Sequence, residues 1–241
     1  EDLDKDGSIS LENDKIGFLA GSYSSYFGCG GRYTVRESDG SFTGVYNTPA
    51  NINILEKLQE WFNDDVLNHT YYPGVSAFVT DRAYFIEVAG CDLSLFRDME
   101  NEFGAVPFPK FNEEQKDYYS NAHDNFSVLC VANNIENDEL VGKVTETLCC
   151  ETYRTVITAY YDTALKSKYT ETDDDEDMLD MIMEGRNYDL AVLFAPSLDR
   201  LFYFFRDEIA DKSTSVAGSL DSRIMGWRAA LMRIEKIYGN L

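Results

Sequence analysis

The stretch ETYRTVITAYYDTALKSKYTETDDDEDMLDMIMEGRNYDL, residues 151–190, joins a tyrosine-rich segment to a concentrated acidic run. Its pattern predicts a helix over residues 160–169, a second helix that starts in the acidic run at 173–177, and a strand over 188–194. Negative side chains stabilise the N-terminus of a helix, because the helix dipole is positive there. The acidic run therefore has a structural explanation and does not require a metal ion.

The rest of the chain also alternates between strand and helix patterns. Residues 16–46 are rich in Gly, Ser, Tyr and Phe, which is typical of short strands and loops. This alternation indicates α/β layers, and long helical stretches around a few strands favour small mixed sheets over one doubly wound sheet. The further predicted strands are 83–88, 104–109 and a buried one at 126–132, and the further predicted helices are 49–63, 75–80, 92–103, 138–153 and 221–238.

Length and charge restrict the function. The 241 residues suffice for one large domain or for two lobes. With 21 Lys and Arg against 43 Asp and Glu, the formal net charge is -22. Such a surface repels phosphate backbones and anionic membranes, so we expect no nucleic-acid partner and a neutral or cationic ligand.

The cysteines and the start of the chain bear on its origin. Five cysteines leave at least one thiol unpaired, and their spacing fits neither a zinc site nor a disulfide framework. Cys149 and Cys150 are expected to be buried thiols on a helix. No apolar run is long enough to span a bilayer. The first residue is Glu1 rather than Met, at the edge of a motif, so we expect the chain to be a piece of a longer protein.

The opening segment EDLDKDGSISLEND, residues 1–14, has the spacing of a calcium loop. An EF-hand-like loop needs oxygen ligands at alternate positions, a Gly at position 6 and a carboxylate at position 12. Position 12 is Asn13, and Asp14 follows one residue later. Converging carboxylates repel one another, so a structural Ca²⁺ is expected, with a solvated acidic turn as the alternative. The candidate ligands are Asp2, Asp4, Asp6, Ser8, Asn13 and Asp14.

Two blocks of sequence carry a resemblance to a known family. Residues 78–111 read FVTDRAYFIEVAGCDLSLFRDMENEFGAVPFPKF, and residues 151–190 contain AYYDTALKSKY followed by MLD. Both blocks resemble the extracellular solute-binding proteins of sugar-type ABC importers (family 1-like, from Firmicutes), and the likeness extends over nearly the whole chain. The matching positions are Phe78, Asp81, Arg82, Ala83, Phe85, Phe103, Gly104, Pro107, Pro109 and Lys110, then Ala159–Asp162, Ala164–Lys166, Lys168, Tyr169 and Met178–Asp180.

The resemblance implies an α/β fold of the periplasmic-binding-protein-like type II class. In this fold, two lobes with small mixed sheets flanked by helices are joined by hinge strands. Residues 1–68, with the acidic loop, and the helix-rich residues 113–241 would belong to the second lobe, and residues 69–112 would be the returning segment of the first lobe. Hinge crossings would fall near residues 66–75 and 108–118. The family's N-terminal portion has no counterpart in the sequence, so the first lobe is expected to be incomplete.

The resemblance also implies a function without enzymatic activity. We expect a monomer that captures a mono- or oligosaccharide in a cleft between the lobes and delivers it to ABC transporter permease subunits. We expect it outside the cell, as a cell-surface lipoprotein or in the periplasm. Aromatic rings and a few directional hydrogen bonds would hold the sugar. The candidate ligand-binding residues are Tyr23, Tyr26, Phe27, Asp92, Asn125 and Trp227.

Several of these residues have a structural interpretation as well. Asp92 is equally explained as a helix N-cap. Tyr23 and Tyr26 are equally explained as the edge of the core, and Trp227 as a core residue of an amphipathic helix. Arg82 and Glu87 would then form an ordinary surface pair.

Two other functions stay open. A calcium-stabilised structural or adhesion module would explain the acidic loop without any small ligand. A glycoside hydrolase needs two carboxylates that face each other across a sugar, and among 43 acidic residues some pair is always available. The sequence contains no GxSxG, HExxH or phosphate-loop motif that would favour another enzyme class.

Overall fold

The structure is a computed structural model of the chain, and it describes residues 1–63, 67–68, 71–122, 129–165, 173–211 and 215–238. It is a mixed α/β protein with small sheets, as the alternating sequence pattern predicted. The finer assignment, a two-lobe type II fold, stays a prediction. None of the helices in these ranges combines the length and the apolar character that a membrane span requires.

The chain forms two compact units. Unit 1 comprises Glu1–Met99, Phe108–Asp124 and Gly185–Leu241, and unit 2 comprises Glu100–Pro107 and Asn125–Glu184. These limits differ from the predicted lobe limits, because most of the predicted returning segment belongs to the same unit as the N-terminal segment. The assignment of the segments to the lobes of a solute-binding protein stays a prediction.

The strands of the described part form three small sheets. Their bounds are β1 Ile16–Leu19, β2 Thr34–Arg36, β3 Phe42–Gly44, β4 Leu67–Asn68, β5 Ala83–Ile86, β6 Ser120–Asn121 and β7 Arg186–Asn187. A three-stranded parallel sheet has the order β4-β1-β5, with Phe18 opposite Phe85. Strands β2 and β3 pair antiparallel, and β6 and β7 pair parallel.

Helices make up most of the regular structure. Their bounds are α1 Ser22–Gly28, α2 Pro49–Asn63, α3 Tyr71–Val79, α4 Asp138–Glu151, α5 Asp173–Glu184, α6 Leu190–Leu193, α7 Leu201–Ala210 and α8 Val216–Tyr238. Short 3-10 helices cover Gly90–Phe96 and Ala195–Leu198, and a π-helix covers Thr152–Leu165. The bounds of α2 are those predicted, because Pro49 fits the first turn of a helix and apolar side chains recur on one face.

The main core of unit 1 contains a cluster of aromatic rings among its aliphatic side chains. Trp227 of α8 is fully buried, with its ring centroid 4.9 Å from that of Phe204 and 5.5 Å from that of Tyr46. Tyr26 of α1 stacks on Tyr33 at 5.2 Å. Burial of rings of this size is the largest single source of stability in such a unit.

Residues 188–194 do not form the predicted strand. They contain a buried carboxylate, that of Asp189, followed by a short helix. Asp189 is 3% exposed and accepts hydrogen bonds from the amides of Tyr33 and Thr34, from the Thr34 hydroxyl and from the amide of Ala191. It therefore caps α6 and ties it to β2. The apolar run after it forms a short helix, since a brief apolar run alone does not distinguish a helix from a strand.

Several predictions of regular structure between residues 92 and 132 are wrong. The predicted helix over 92–103 is only the 3-10 turn Gly90–Phe96, and residues 104–109 form no strand. The predicted buried strand over 126–132 lies partly outside the described residues. In its described part, Leu129 is 68% exposed and residues 129–132 are irregular.

The helices of unit 2 were largely predicted, but not their exposure. Helices α4 and α5 correspond to predictions, whereas the predicted helix over 160–169 begins earlier, as the π-helix, and lies partly outside the described residues. None of the residues of α4 is buried. Cys149 and Cys150 do lie on this helix, but they are exposed, which corrects their prediction as buried thiols.

Candidate functional site

The carboxyl ends of β1 and β5 meet at one edge of the parallel sheet. The chain leads from the central strand β1 to β4 on one side, and then to β5 on the other side, so the strand order reverses between β1 and β5. In open α/β sheets, ligands bind outside the carboxyl ends of the strands at such a point. Gly21 follows β1 and Glu87 follows β5, so both residues lie at this point.

Glu87 connects the two strand ends. The Gly21 amide donates a hydrogen bond to Oε2 of Glu87 at 2.6 Å, and the Ser24 hydroxyl also hydrogen-bonds the carboxylate. The Glu87 amide in turn donates to the carbonyl of Leu19 at 2.7 Å. The side chain of Glu87 thereby fixes the start of α1 against the end of β5.

The protonation of Glu87 is unusual. Burial raises the pKa of Glu87 to about 7, although the hydrogen bonds from Ser24 and Gly21 act in the opposite direction. Near neutral pH the side chain is therefore present in both protonation states. A protonated carboxyl donates one hydrogen bond and accepts others, which suits recognition of a hydroxyl group.

Arg82 and Glu87 do not form the surface pair that the sequence left open. One Nη1 of Arg82 donates to the carbonyl of Leu11, and its Nε donates to the Thr80 hydroxyl at 3.1 Å. Glu87 instead turns toward Gly21. Arg82 thus bonds to Leu11 and Thr80, whereas Glu87 bonds to the start of α1.

Three of the predicted ligand-binding residues lie in the aromatic core. Tyr26, Phe27 and Trp227 are each 0% exposed. The Tyr26 hydroxyl donates to the carbonyl of Arg32 at 2.8 Å. These positions match the core interpretation that the sequence left open for Tyr26 and Trp227, and they give Phe27 the same role. A direct contact with a ligand would require the core to open.

The other three predicted ligand-binding residues are less closely defined. Asp92 is half-buried in the first turn of the 3-10 helix that follows β5, and the N-cap position of that helix is Ala89, so Asp92 is not its N-cap. Tyr23 lies in α1, but its side chain is outside the described part of the structure. Asn125 lies outside the described residues. Of the six candidates, Asp92 is the one that the fold places in the segment after Glu87.

The acidic loop brings together three of its six predicted ligands. Carboxylate oxygens of Asp2, Asp4 and Asp14 lie within 4.8 Å of one another. Asp14 is 1% exposed, and its two oxygens accept the amides of Leu3 at 2.7 Å and Ser10 at 2.8 Å. These backbone hydrogen bonds lower the pKa of Asp14, and the one from Ser10 contributes most to this lowering. The carboxylate one residue after position 12 is therefore the one that closes the loop.

The remaining predicted ligands of the loop bond to the protein. Asp6 Oδ1 accepts the amide and the hydroxyl of Ser8, at 2.8 and 2.7 Å. The side-chain amide of Asn13 donates to Asp4 Oδ2 at 3.0 Å. The loop turns through positive φ angles at Lys5 (61°) and Gly7 (89°), and Gly7 adopts such an angle without strain. Hard oxygen donors of this kind fit Ca²⁺.

Sequence reasoning missed the role of Glu87. Its position after a strand and before Ala-Gly was visible, but the partner strand was not, because pairing between residues 66 positions apart leaves no local pattern. It also missed Arg32, whose guanidinium lies over the ring of Tyr119 with 4.4 Å between them. Paired glycines before Arg32 were the only local signal for a close approach at that point.

Comparison with known proteins adds no family assignment. No protein-family model matches the chain, and no curated protein matches it either.

Proposed function

We propose that this protein is an extracellular solute-binding protein that captures a carbohydrate and delivers it to the permease subunits of an ABC importer. The resemblance of residues 78–111 and 151–190 supports the family. The observation that carries the location of the site is Glu87 at the reversal point of the parallel sheet. In this proposal the protein acts as a monomer, as a cell-surface lipoprotein or in the periplasm, and performs no covalent chemistry.

The geometry supports recognition of a hydroxylated ligand at the sheet edge. Glu87 is held by Gly21 and Ser24, so its orientation is fixed before a ligand arrives. Such preorganisation reduces the entropy lost on binding. With a pKa near neutrality, the carboxyl donates to one sugar hydroxyl and accepts from another. Asp92 follows in the next segment and would supply a second acceptor.

The acidic loop is proposed to hold a structural Ca²⁺ away from the sugar. Asp2, Asp4 and Asp14 would supply its carboxylate ligands, because their oxygens already converge. When bound, the cation would neutralise their mutual repulsion and fasten the N-terminal segment. We expect added calcium to raise the melting temperature, and we expect this rise to be lost in Asp2→Asn. An unchanged melting temperature in calcium and in EDTA would contradict it.

A thermal-shift screen tests the binding function. The protein would be heated with a panel of neutral and acidic mono- and oligosaccharides, with and without calcium. A ligand that binds only the folded state raises the melting temperature. We expect a shift with one sugar class. A shift with calcium alone would favour the structural or adhesion module, and release of shorter sugars from an oligosaccharide would favour a hydrolase.

A pair of variants tests the location of the site. Glu87→Gln keeps the shape of the side chain, but the amide carries no negative charge and does not ionise. Glu235→Gln is a matched control, because Glu235 also accepts a backbone amide at 2.6 Å, that of Phe42. We expect titration calorimetry with the sugar from the screen to show about tenfold weaker binding for Glu87→Gln alone. Equal affinities for both variants would contradict the site.

A further inference from the structure

A second polar cluster of unit 1 lies beyond the other end of α1. Gly30 and Arg32 follow this helix, and residues of the segment Phe108–Asp124 pack against them. The guanidinium of Arg32 lies over the ring of Tyr119, with 4.4 Å between the guanidinium carbon and the ring centroid. The side-chain amide of Gln115 donates to the carbonyl of Gly28 at 3.0 Å. The cluster therefore joins two distant segments of the sequence.

Arg32 is held in one orientation but uses few of its donors. Its Nη1 donates to the carbonyl of Gly31 at 2.7 Å, and the contact with the face of the Tyr119 ring restricts the guanidinium further. Within the described ranges, no carboxylate forms an ion pair with it. The guanidinium carries five N–H donors, so most of them face neither a carboxylate nor a carbonyl of the described chain.

Among the described residues, the lack of an acidic partner for Arg32 is unusual, given the composition of the chain. There are 43 acidic against 21 basic residues, so a carboxylate partner would be easy to supply. Asp189 acts on the charge of Arg32 from a distance, but its oxygens accept hydrogen bonds from Tyr33, Thr34 and Ala191. Burial lowers the pKa of Arg32, so the half-buried charge is kept at a cost in free energy. A bound anion would offset that cost.

We propose that Arg32, held over the ring of Tyr119, is a subsite for a carboxylate of the ligand, and that the protein therefore takes acidic oligosaccharides of the uronic acid class. A planar guanidinium with a free edge matches a carboxylate with two parallel hydrogen bonds. The proposal rests on the proposed binding function and names its substrate class. The net charge of -22 suggested a neutral or cationic ligand. The proposal replaces that expectation with an anionic ligand, because the charge next to the ligand's carboxylate is the positive charge of Arg32.

The distance between Arg32 and the sheet edge at Glu87 favours an oligosaccharide as the ligand. Arg32 and the Glu87 edge are separated by α1, which has seven residues. A helix of that length spans about 10 Å. A single sugar ring is shorter than that, so one ligand that reaches both places needs at least two rings.

Calorimetry with a matched ligand pair tests the subsite on the unaltered protein. The probes are trigalacturonate and its fully methyl-esterified form, which share one skeleton and differ in charge. We expect the acid to bind about 10- to 100-fold more tightly than the ester, and the difference to shrink as salt is raised. Equal affinity for the acid and the ester would overturn the proposal while leaving the binding function intact. If no sugar of any kind bound, the binding function itself would fail.

Two variants separate ligand contact from a structural role. Arg32→Gln is expected to abolish the preference for the acid and to keep the affinity for the ester. The control is Arg206→Gln, because Arg206 also lies over a tyrosine ring, that of Tyr203 at 5.1 Å, but pairs with Asp207. Should Arg32→Gln unfold, Arg32→Lys keeps the charge without the planar fork and is expected to lose most of the preference. A preference for the acid that survives in folded variants would overturn the subsite.

Discussion

The two units differ in how far their helices bury apolar side chains. In unit 1, α8 places Trp227 at 0% exposure among other aromatic rings. In unit 2, α4 has no buried residue, and Leu140 and Leu148 are each 56% exposed. Both helices have an amphipathic pattern in the sequence. The difference shows that such a pattern predicts a helix whether or not its apolar face is covered.

Local interactions support α4 instead. The side chain of Asn137 caps its N-terminus by accepting the amide of Leu140 at 3.0 Å, and Glu139 pairs with Lys143 at 2.6 Å. Exposed pairs of this kind contribute little, and a cap contributes more. We therefore expect large effects of substitution in unit 1 and small, local effects in α4.

The largest effect is expected at Trp227. Trp227→Ala removes a fully buried ring and leaves a cavity, so the free energy of unfolding should fall by about 3–5 kcal/mol. Leu148→Ala, at an exposed position of α4, is the counterpart and should change it by less than about 0.5 kcal/mol. Urea unfolding followed by circular dichroism measures both. Similar losses for the two variants would remove the contrast between the units.

The second-largest loss in the free energy of unfolding is expected from a substitution of the buried Asp189 in unit 1. Asp189→Ala leaves the amides of Tyr33, Thr34 and Ala191 without their acceptor in a buried place. The expected loss is about 3 kcal/mol, since each unsatisfied buried donor is costly. Asp207→Ala is the control, because Asp207 forms an exposed pair with Arg206. A loss of under 1 kcal/mol at Asp189, roughly that of a surface substitution, would mean that water replaces the carboxylate.

The titration of Glu87 gives a smaller, pH-dependent effect. Because burial raises its pKa to about 7, the folded state retains a proton that the unfolded state releases at lower pH. This contribution to stability is therefore present at pH values below the usual carboxyl range and declines as the pH rises toward 7. Solvent contact limits the change to the order of 1–2 kcal/mol.

Melting curves across pH isolate this contribution. The melting temperature of the unaltered protein, taken relative to that of Glu87→Gln, should fall between about pH 4.5 and pH 7 and stay level above it. A difference between the two proteins that rises with pH in this interval would show that the pKa of Glu87 is lowered.

The smallest effect is expected at the cap of α4. Asn137→Ala removes the acceptor for the amide of Leu140 and should cost about 1 kcal/mol. Because α4 buries no side chain, the loss should remain local. Hydrogen exchange should become faster in residues 138–142 and stay unchanged in α8. Faster exchange throughout unit 1 would show that α4 is coupled to the core.

Local chemistry explains which elements were predictable. Pro49 and the apolar spacing after it define α2, and the acidic run of α5 lies at a helix N-terminus as expected. The predicted strand at 188–194 failed because the role of Asp189 depends on Tyr33 and Thr34, more than 150 positions away. No local pattern carries information of that range.

The site was less predictable than the fold for the same reason. The spacing of the acidic loop was visible, and the convergence of Asp2, Asp4 and Asp14 required only a short loop. The role of Glu87 depends on the pairing of β1 with β5. The role of Arg32 depends on its contact with Tyr119, which is distant in the sequence. The aromatic residues near the paired glycines were visible, but the sequence did not decide between burial in the core and contact with a ligand.

Hydrogen exchange with and without a sugar mixture tests the central claim, that the sheet edge at Glu87 binds carbohydrate. The mixture would contain neutral oligosaccharides and oligogalacturonates, each at millimolar concentration. We predict slower exchange in the segments 19–25 and 83–92 and no change in residues 138–151. Exchange that stays the same in both segments with every sugar, or protection confined to α4, would contradict the claim.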